Sequence, residues 1–163
     1  MKQQILIDGY NLLYQFPELR KRLERDAMGA RDILISYLAS YAAGRDFAVV
    51  VVFDGDKYTA GLTGIKQGIK IIFSKSTEDA DFVIKKMIHK NGGNSDLLVV
   101  SSDKEIENFA KLCRVKTILS QRFARDIVEI LPIGLGEKYN TQLTPEEVKE
   151  WLQLFQEGKN PEK

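Results

Sequence analysis

Short runs of β-branched and aliphatic residues alternate along this chain with stretches whose apolar positions recur every three or four residues. Runs at 4–7, 47–53, 69–73, 97–100 and 115–119 predict five strands. The second run, FAVVVVF, is apolar without interruption, which predicts a central strand covered on both faces. Helical spacing occupies 12–23, 30–43, 78–89 and 104–112, with a shorter helix near 122–127. Ile33, Leu34, Tyr37, Leu38 and Tyr41 form the stripe of the second helix, and Gly44 is placed to end it. In the third, Ala80, Val83, Ile84, Met87 and Ile88 share one face, and Asn91-Gly92-Gly93 closes the segment. Strands alternating with helices predict an α/β fold of three layers: a central, mostly parallel five-stranded sheet with helices on both faces.

After Pro132-Ile133-Gly134 the chain becomes more polar. Thr144 as N-cap, Pro145 at the first helical position and Glu147 completing a capping box predict one more helix, running to about Phe155. Trp151, Leu152 and Phe155 are placed to dock it on the body, and the final GKNPEK is expected to lack structure. The organisation expected is a domain at 1–133 followed by a C-terminal helical appendage and tail at 134–163.

Composition narrows the chemistry. A length of 163 residues accommodates one domain with a full core. The formal net charge of +1 means that any nucleic-acid footprint must be a local patch. One cysteine, Cys113, and one histidine, His89, exclude an intrachain disulfide and a Cys/His zinc site built by a single chain. They fit a reducing, cytoplasmic setting, and both are assigned to structure. With no long apolar stretch and no cleavage-site pattern, neither a signal peptide nor a membrane span is expected. The oligomeric state is left open. Carboxylates remain as the chemical tools.

In an open parallel sheet, sites form at the carboxyl ends of the strands. Asp8, Asp54, Ser74 and Asp103 follow the first four strands, and right-handed crossovers bring those ends to one edge. On the 78–89 helix, Asp81 lies on one shoulder of the apolar face with Glu78 beside it, and Asp79 falls toward the other shoulder. Each acid taken singly has an ordinary explanation. Asp8-Gly9 and Asp54-Gly55 read as turns, Asp103 as an N-cap, and Asp79 and Asp81 as partners of a helix dipole. Converging, they would raise one another's pKa unless a cation joined them. All-oxygen ligation suits Mg²⁺ or Mn²⁺. Asn11, three residues past Asp8, is within reach of the same place. The glycine-bearing loop 56–68, with Lys66, Lys70 and Lys75, is expected over this edge, either guiding a phosphate backbone or as a plain flexible surface loop. The run Arg20-Lys21-Arg22 with Arg25 reads as a solvated helix face. No P-loop or dinucleotide-binding glycine pattern is present, and Asp54-Gly55-Asp56 departs from an EF-hand at its sixth and twelfth positions, Thr59 and Ile65.

The ordered set ILIDGYNLL, ARDILISYL, VVVFDG, GIKIIFS with EDADFVI, and VVSSDKEI resembles the NYN family, specifically its YacP-like bacterial branch within the PIN-like nuclease superfamily. The likeness runs from about Ile5 to Ile130. It implies a PIN-like fold, dependence on Mg²⁺ or Mn²⁺, and cleavage of RNA, with relatives that are ribosome-associated endoribonucleases acting on messenger RNA. By motif match it implies that Asp8, Asp81 and Asp103 are catalytic, metal-binding acids. Asn11 and Ser102 become positioning groups, and Arg31 a phosphate contact or an orienting group for an acid. The helix motif here reads Glu78-Asp79-Ala80-Asp81-Phe82 in place of the usual Thr-Ala-Asp-Asp, so either Glu78 or Asp79 supplies the accessory acid. The function expected is hydrolysis of an RNA phosphodiester by a metal-activated water, with RNA as partner and, by the resemblance, the ribosome as a second one. The alternative is a non-catalytic RNA- or ribosome-binding module on the same fold. A phosphatase of small esters is disfavoured, because Asp8-Gly9-Tyr10 lacks a second Asp two residues on.

Overall fold

The computed structural model describes residues 2–131. The appendage expected at 134–163, including the helix from Thr144 and the docking role of Trp151, lies outside the described residues. Within them the chain runs β1 (Gln3–Asp8), α1 (Gly9–Leu13), α2 (Pro17–Leu23), α3 (Ala27–Ala42), β2 (Phe47–Phe53), β3 (Thr63–Lys66), β4 (Ile69–Phe73), α4 (Ala80–Lys90), β5 (Leu97–Val100), α5 (Lys104–Leu112), β6 (Lys116–Ile118) and α6 (Ser120–Ile130).

The strands form one sheet in the order β3-β4-β2-β1-β5-β6. Every neighbouring pair is parallel except β3–β4. The chain builds outward from β1 through β2 to β4, then crosses back to place β5 on the other side of β1. The strand order therefore reverses at β1, and the crevice of a doubly wound sheet opens at its carboxyl end.

Burial alternates as the strand period requires. Ile5, Ile7, Val49, Val51 and Phe53 join the core shared with α1, α3 and α6, whereas Leu6, Val52 and Val99 join the core under α4 and α5. Both faces of FAVVVVF are thus covered, as its unbroken apolar run predicts. The α4 stripe behaves likewise: Ala80, Ile84 and Ile88 are buried, and Val83 and Met87 pack beside them.

α3 starts earlier and α6 runs longer than expected, at Ala27–Ala42 and Ser120–Ile130, and three further differences have a local physical cause. The helix expected over 12–23 is two helices, because Pro17 has no N–H to give the preceding turn and pushes Phe16 into extended backbone (φ −101°, ψ 109°). Pro17 instead opens α2 at its first turn, where the missing donor costs nothing. The helix expected from 78 begins at Ala80, since Asp79 stays extended and caps it by accepting from Phe82 N at 2.8 Å. Finally, five expected strands are joined by a sixth. Loop residues 63–66 pair antiparallel with β4 through a two-residue turn at Gln67 and Gly68, with φ of 52° and 80°. Positive φ at both central positions is the hairpin geometry that matches strand twist.

Candidate functional site

β1 delivers Asp8 to the carboxyl edge of the sheet at the point of strand reversal. The chain then turns at once into α1, which brings its first residue hard against β2. A Cβ on Gly9 would sit 2.5 Å from the Phe53 ring and 2.9 Å from the Val52 carbonyl, so the position next to this acid has room only for glycine. Ser101, at the end of β5, joins two of the acids: its Oγ donates to Asp8 Oδ2 at 3.0 Å and accepts from Asp103 N at 3.1 Å. Asp103 caps α5 through Glu105 N at 2.8 Å. Asp54, just past β2, accepts from Ala80 N at 2.7 Å and so pins the first turn of α4, the turn that carries Asp81.

These attachments bring the acids together. Asp81, Asp103 and Glu105 each offer a carboxylate oxygen within 4.8 Å of the others. Asp8 is set deeper, only 9% exposed. Burial, opposed by the Ser101 hydrogen bond and reinforced by the charges of Asp81, Asp103 and Asp54, pushes its carboxyl up to about 7. Asp81 is also raised, first by desolvation and then by Asp103 and Asp79, against the lowering effect of Lys85. The mutual influence shows that Asp8, Asp54, Asp81 and Asp103 face one electrostatic space.

The two positioning residues expected from sequence lie at the junction of three elements. Asn11 Oδ1 accepts from Ser102 N at 2.8 Å and from Ser120 Oγ at 2.6 Å. Ser102 Oγ accepts from Ser120 N at 3.1 Å and donates to Gln121 Oε1. The turn after β1, the turn after β5 and the start of α6 are thereby tied together. Arg31 is buried on the opposite face of the sheet, stacked 5.2 Å over the Phe73 ring and donating to the Tyr10 hydroxyl at 3.1 Å. It makes no ion pair with the clustered acids.

Glu78 and Asp79 line the cleft beside Asp81, but neither joins the three-oxygen cluster. Glu78 Oε1 accepts from Lys75 N at 3.4 Å, and Asp79 is occupied in capping α4. The expected lysines divide. Lys75 follows β4 at the acidic edge, whereas Lys66 and Lys70 flank the hairpin turn at the other end of β4. Three residues lie between Lys70 and Ser74, four steps along the strand or about 13 Å, and Lys66 is engaged with Asp32 at 2.8 Å. The loop expected over the acidic edge thus leads into a strand that carries these two lysines away from it.

Sequence reasoning missed Glu105, Asp54's tether and Ser101's bridge. Glu105 was legible in principle: two residues beyond an N-cap aspartate, a carboxylate in the first turn lies near the same helix end.

A family profile described as "YacP-like NYN domain" matches residues 5–153. A Bacillus subtilis (strain 168) protein described as "Uncharacterized protein YacP" is 32% identical over 102 residues, covering 61% of this chain and 59% of that protein. The matched stretch therefore spans less than two thirds of that relative's length. The crystal structure of Rae1 (YacP) from Bacillus subtilis superposes with a TM-score of 0.62 at 26% identity, covering 94% of this chain and 88% of that one. A tryptophan-to-leucine mutant of the same protein gives 0.63 at 24% identity, covering 91% and 97% respectively.

Proposed function

The chain belongs to the YacP-like NYN domain family, a nuclease family in general terms, and on that premise we propose that it is a metal-dependent endoribonuclease of the cytoplasm, cutting messenger RNA in association with the ribosome. The observation that carries the reading is the convergence of Asp8, Asp81 and Asp103 at the strand-reversal point, with Asp8 buried and its carboxyl raised to about 7 by desolvation and its acidic neighbours. Acids that raise one another's pKa are relieved when a cation joins them.

The donor set fits Mg²⁺ or Mn²⁺. It is all oxygen: Asp81, Asp103 and Glu105 bring carboxylate oxygens within 4.8 Å of one another from α4 and the start of α5, and Asp8 at the end of β1 shares their electrostatic space. Asp8, Asp81 and Asp103 would hold the ion, with Glu105 or Glu78 as the accessory acid. When bound, such an ion neutralises phosphate oxygens and acidifies a water for attack on phosphorus.

The chain's own residues supply the framework. Ser101 holds Asp8 and Asp103 in fixed relation. Asn11 and Ser102 fix the two turns that carry those acids. Asp54 fixes the helix start that carries Asp81. Lys75, exposed at the same edge, would meet the RNA backbone, and Arg31, on the opposite face of the sheet, braces the aromatic group of Tyr10 and Phe73. No helix among the described residues is long and apolar enough to cross a membrane.

The test is cleavage of a labelled messenger RNA pool in Mg²⁺, Mn²⁺ or EDTA, with and without ribosomes. Cleavage that needs the ion and is enhanced by ribosomes supports the full reading. Ion-dependent cleavage indifferent to ribosomes removes the ribosomal part. RNA binding without cleavage under any of these conditions replaces the enzyme by a binding module.

A further inference from the structure

The cleft beside the acidic cluster holds one feature that ion binding does not use. Its volume is about 580 Å³, and Thr77, Glu78, Asp79, Asp81, Lys85 and Glu105 line it together with the ring of Phe82. Phe82 is 54% exposed, directly follows Asp81, and is the large apolar side chain in an otherwise polar wall. Among the described residues it contributes to neither hydrophobic core. Nor is it loosely held at the backbone, because Phe82 N donates to Asp79 Oδ1 at 2.8 Å in the first turn of α4. The side chain therefore leaves a fixed point at the rim of the site.

The surroundings restrict what covers this ring. Four carboxylates line the same cleft, so a backbone phosphate without a cation is repelled from it. The neutral part of a nucleotide is its base, and base–aromatic stacking tolerates any sequence because every base offers a π-face. A base inside a duplex has both faces covered by its neighbours, so an unpaired base is required. Resting on the nuclease reading above, we propose that Phe82 is a stacking platform for one unpaired nucleobase next to the cleaved linkage. Lys85 lines the same wall and is paired with Glu105 at 3.3 Å.

The test uses binding rather than turnover. Anisotropy of a fluorescein-labelled decaadenylate RNA is measured in Ca²⁺ with the whole protein and its Phe82→Ala, Phe82→Leu and Phe82→Trp variants. Loss of a stacked base predicts about tenfold weaker binding for Phe82→Ala. Phe82→Leu keeps apolar area but no π-face and is expected to weaken binding similarly, while Phe82→Trp retains it. The same strand annealed to its complement is expected to bind wild type and Phe82→Ala alike. Equal affinity of wild type, Phe82→Ala and Phe82→Leu for the single strand overturns the platform and leaves the nuclease reading to its cleavage assay. Absence of RNA binding by the wild type overturns both. Circular dichroism confirms that the variants fold, which is expected of a side chain more than half exposed.

Discussion

At the scale of the residue, Asp8 carries the conflict between stability and chemistry. Its carboxyl, at 3.8 in an unfolded chain, stands at about 7 in the metal-free fold, with burial as the largest cause. A raised acid favours the folded state while protonated, so its contribution is fully present below the unfolded value and is lost as pH rises through about 7. The metal-free protein is therefore expected to lose stability between pH 4 and pH 8. Asp8→Asn retains an oxygen for the Ser101 hydroxyl and carries no charge. Urea unfolding at pH 8 in EDTA is expected to show Asp8→Asn more stable than wild type by on the order of 2–4 kcal/mol, the gap closing toward pH 4. A gap independent of pH would mean that the Asp8 charge is not what the fold resists. Gly9 offers a second residue-scale check. A methyl there meets the Phe53 ring and the Val52 carbonyl, so Gly9→Ala is expected to cost about 1–3 kcal/mol in the same unfolding measurement. The glycine of Asp-Gly-Tyr-Asn thus reads as a packing requirement rather than only as a turn residue, a distinction that a linear sequence does not display.

Elements transmit these constraints to the site. The first turn of α4 is positioned by Asp54 through Ala80 N, so removing that acceptor should disturb Asp81 without touching it. Asp54→Ala is expected to lose about 1 kcal/mol and a large part of any cleavage activity, whereas Asp54→Asn keeps the acceptor and most of the stability. Equal behaviour of the two substitutions in unfolding and cleavage assays would remove the tether from the account. The elements also show what patterning makes legible. The strands at 47–53 and 97–100 follow directly from apolar runs, because parallel strands buried on both faces tolerate little else. β3 gives no such signal: its four residues, Thr63 to Lys66, are all exposed, and its turn uses Gln67 where Asn or Asp would announce a hairpin. The break between α1 and α2 has its signal in Pro17, which the helical spacing of Leu12, Leu13, Leu19 and Leu23 masks.

Over the whole molecule, the sheet order decides which predicted residues meet. Counting strand ends locates Asp8, Asp54 and Asp103 at one edge, and the reversal at β1 makes that edge a crevice. The lysines show the limit of that reasoning, since a hairpin inside a presumed loop moves Lys66 and Lys70 to the far end of the sheet. With a short RNA, Lys75→Ala is accordingly expected to raise KM several-fold, roughly the effect of one phosphate contact, while Lys66→Ala and Lys70→Ala leave it near wild type. A larger effect from Lys70 than from Lys75 would place the RNA path along the opposite end. All of this depends on one claim, that the clustered carboxylates hold a divalent ion that cleaves RNA. Its most direct test is single-turnover cleavage of a labelled single-stranded RNA in Mn²⁺, comparing wild type with Asp8→Asn and Asp103→Asn. Asn at position 103 keeps the α5 cap, so loss of rate reports the charge and not the fold. Mn²⁺-dependent cleavage by the wild type is expected, with a fall of at least about 100-fold in each variant, the scale of losing a group that stabilises developing charge. Wild-type rates in both variants, or cleavage unaffected by EDTA, would contradict it.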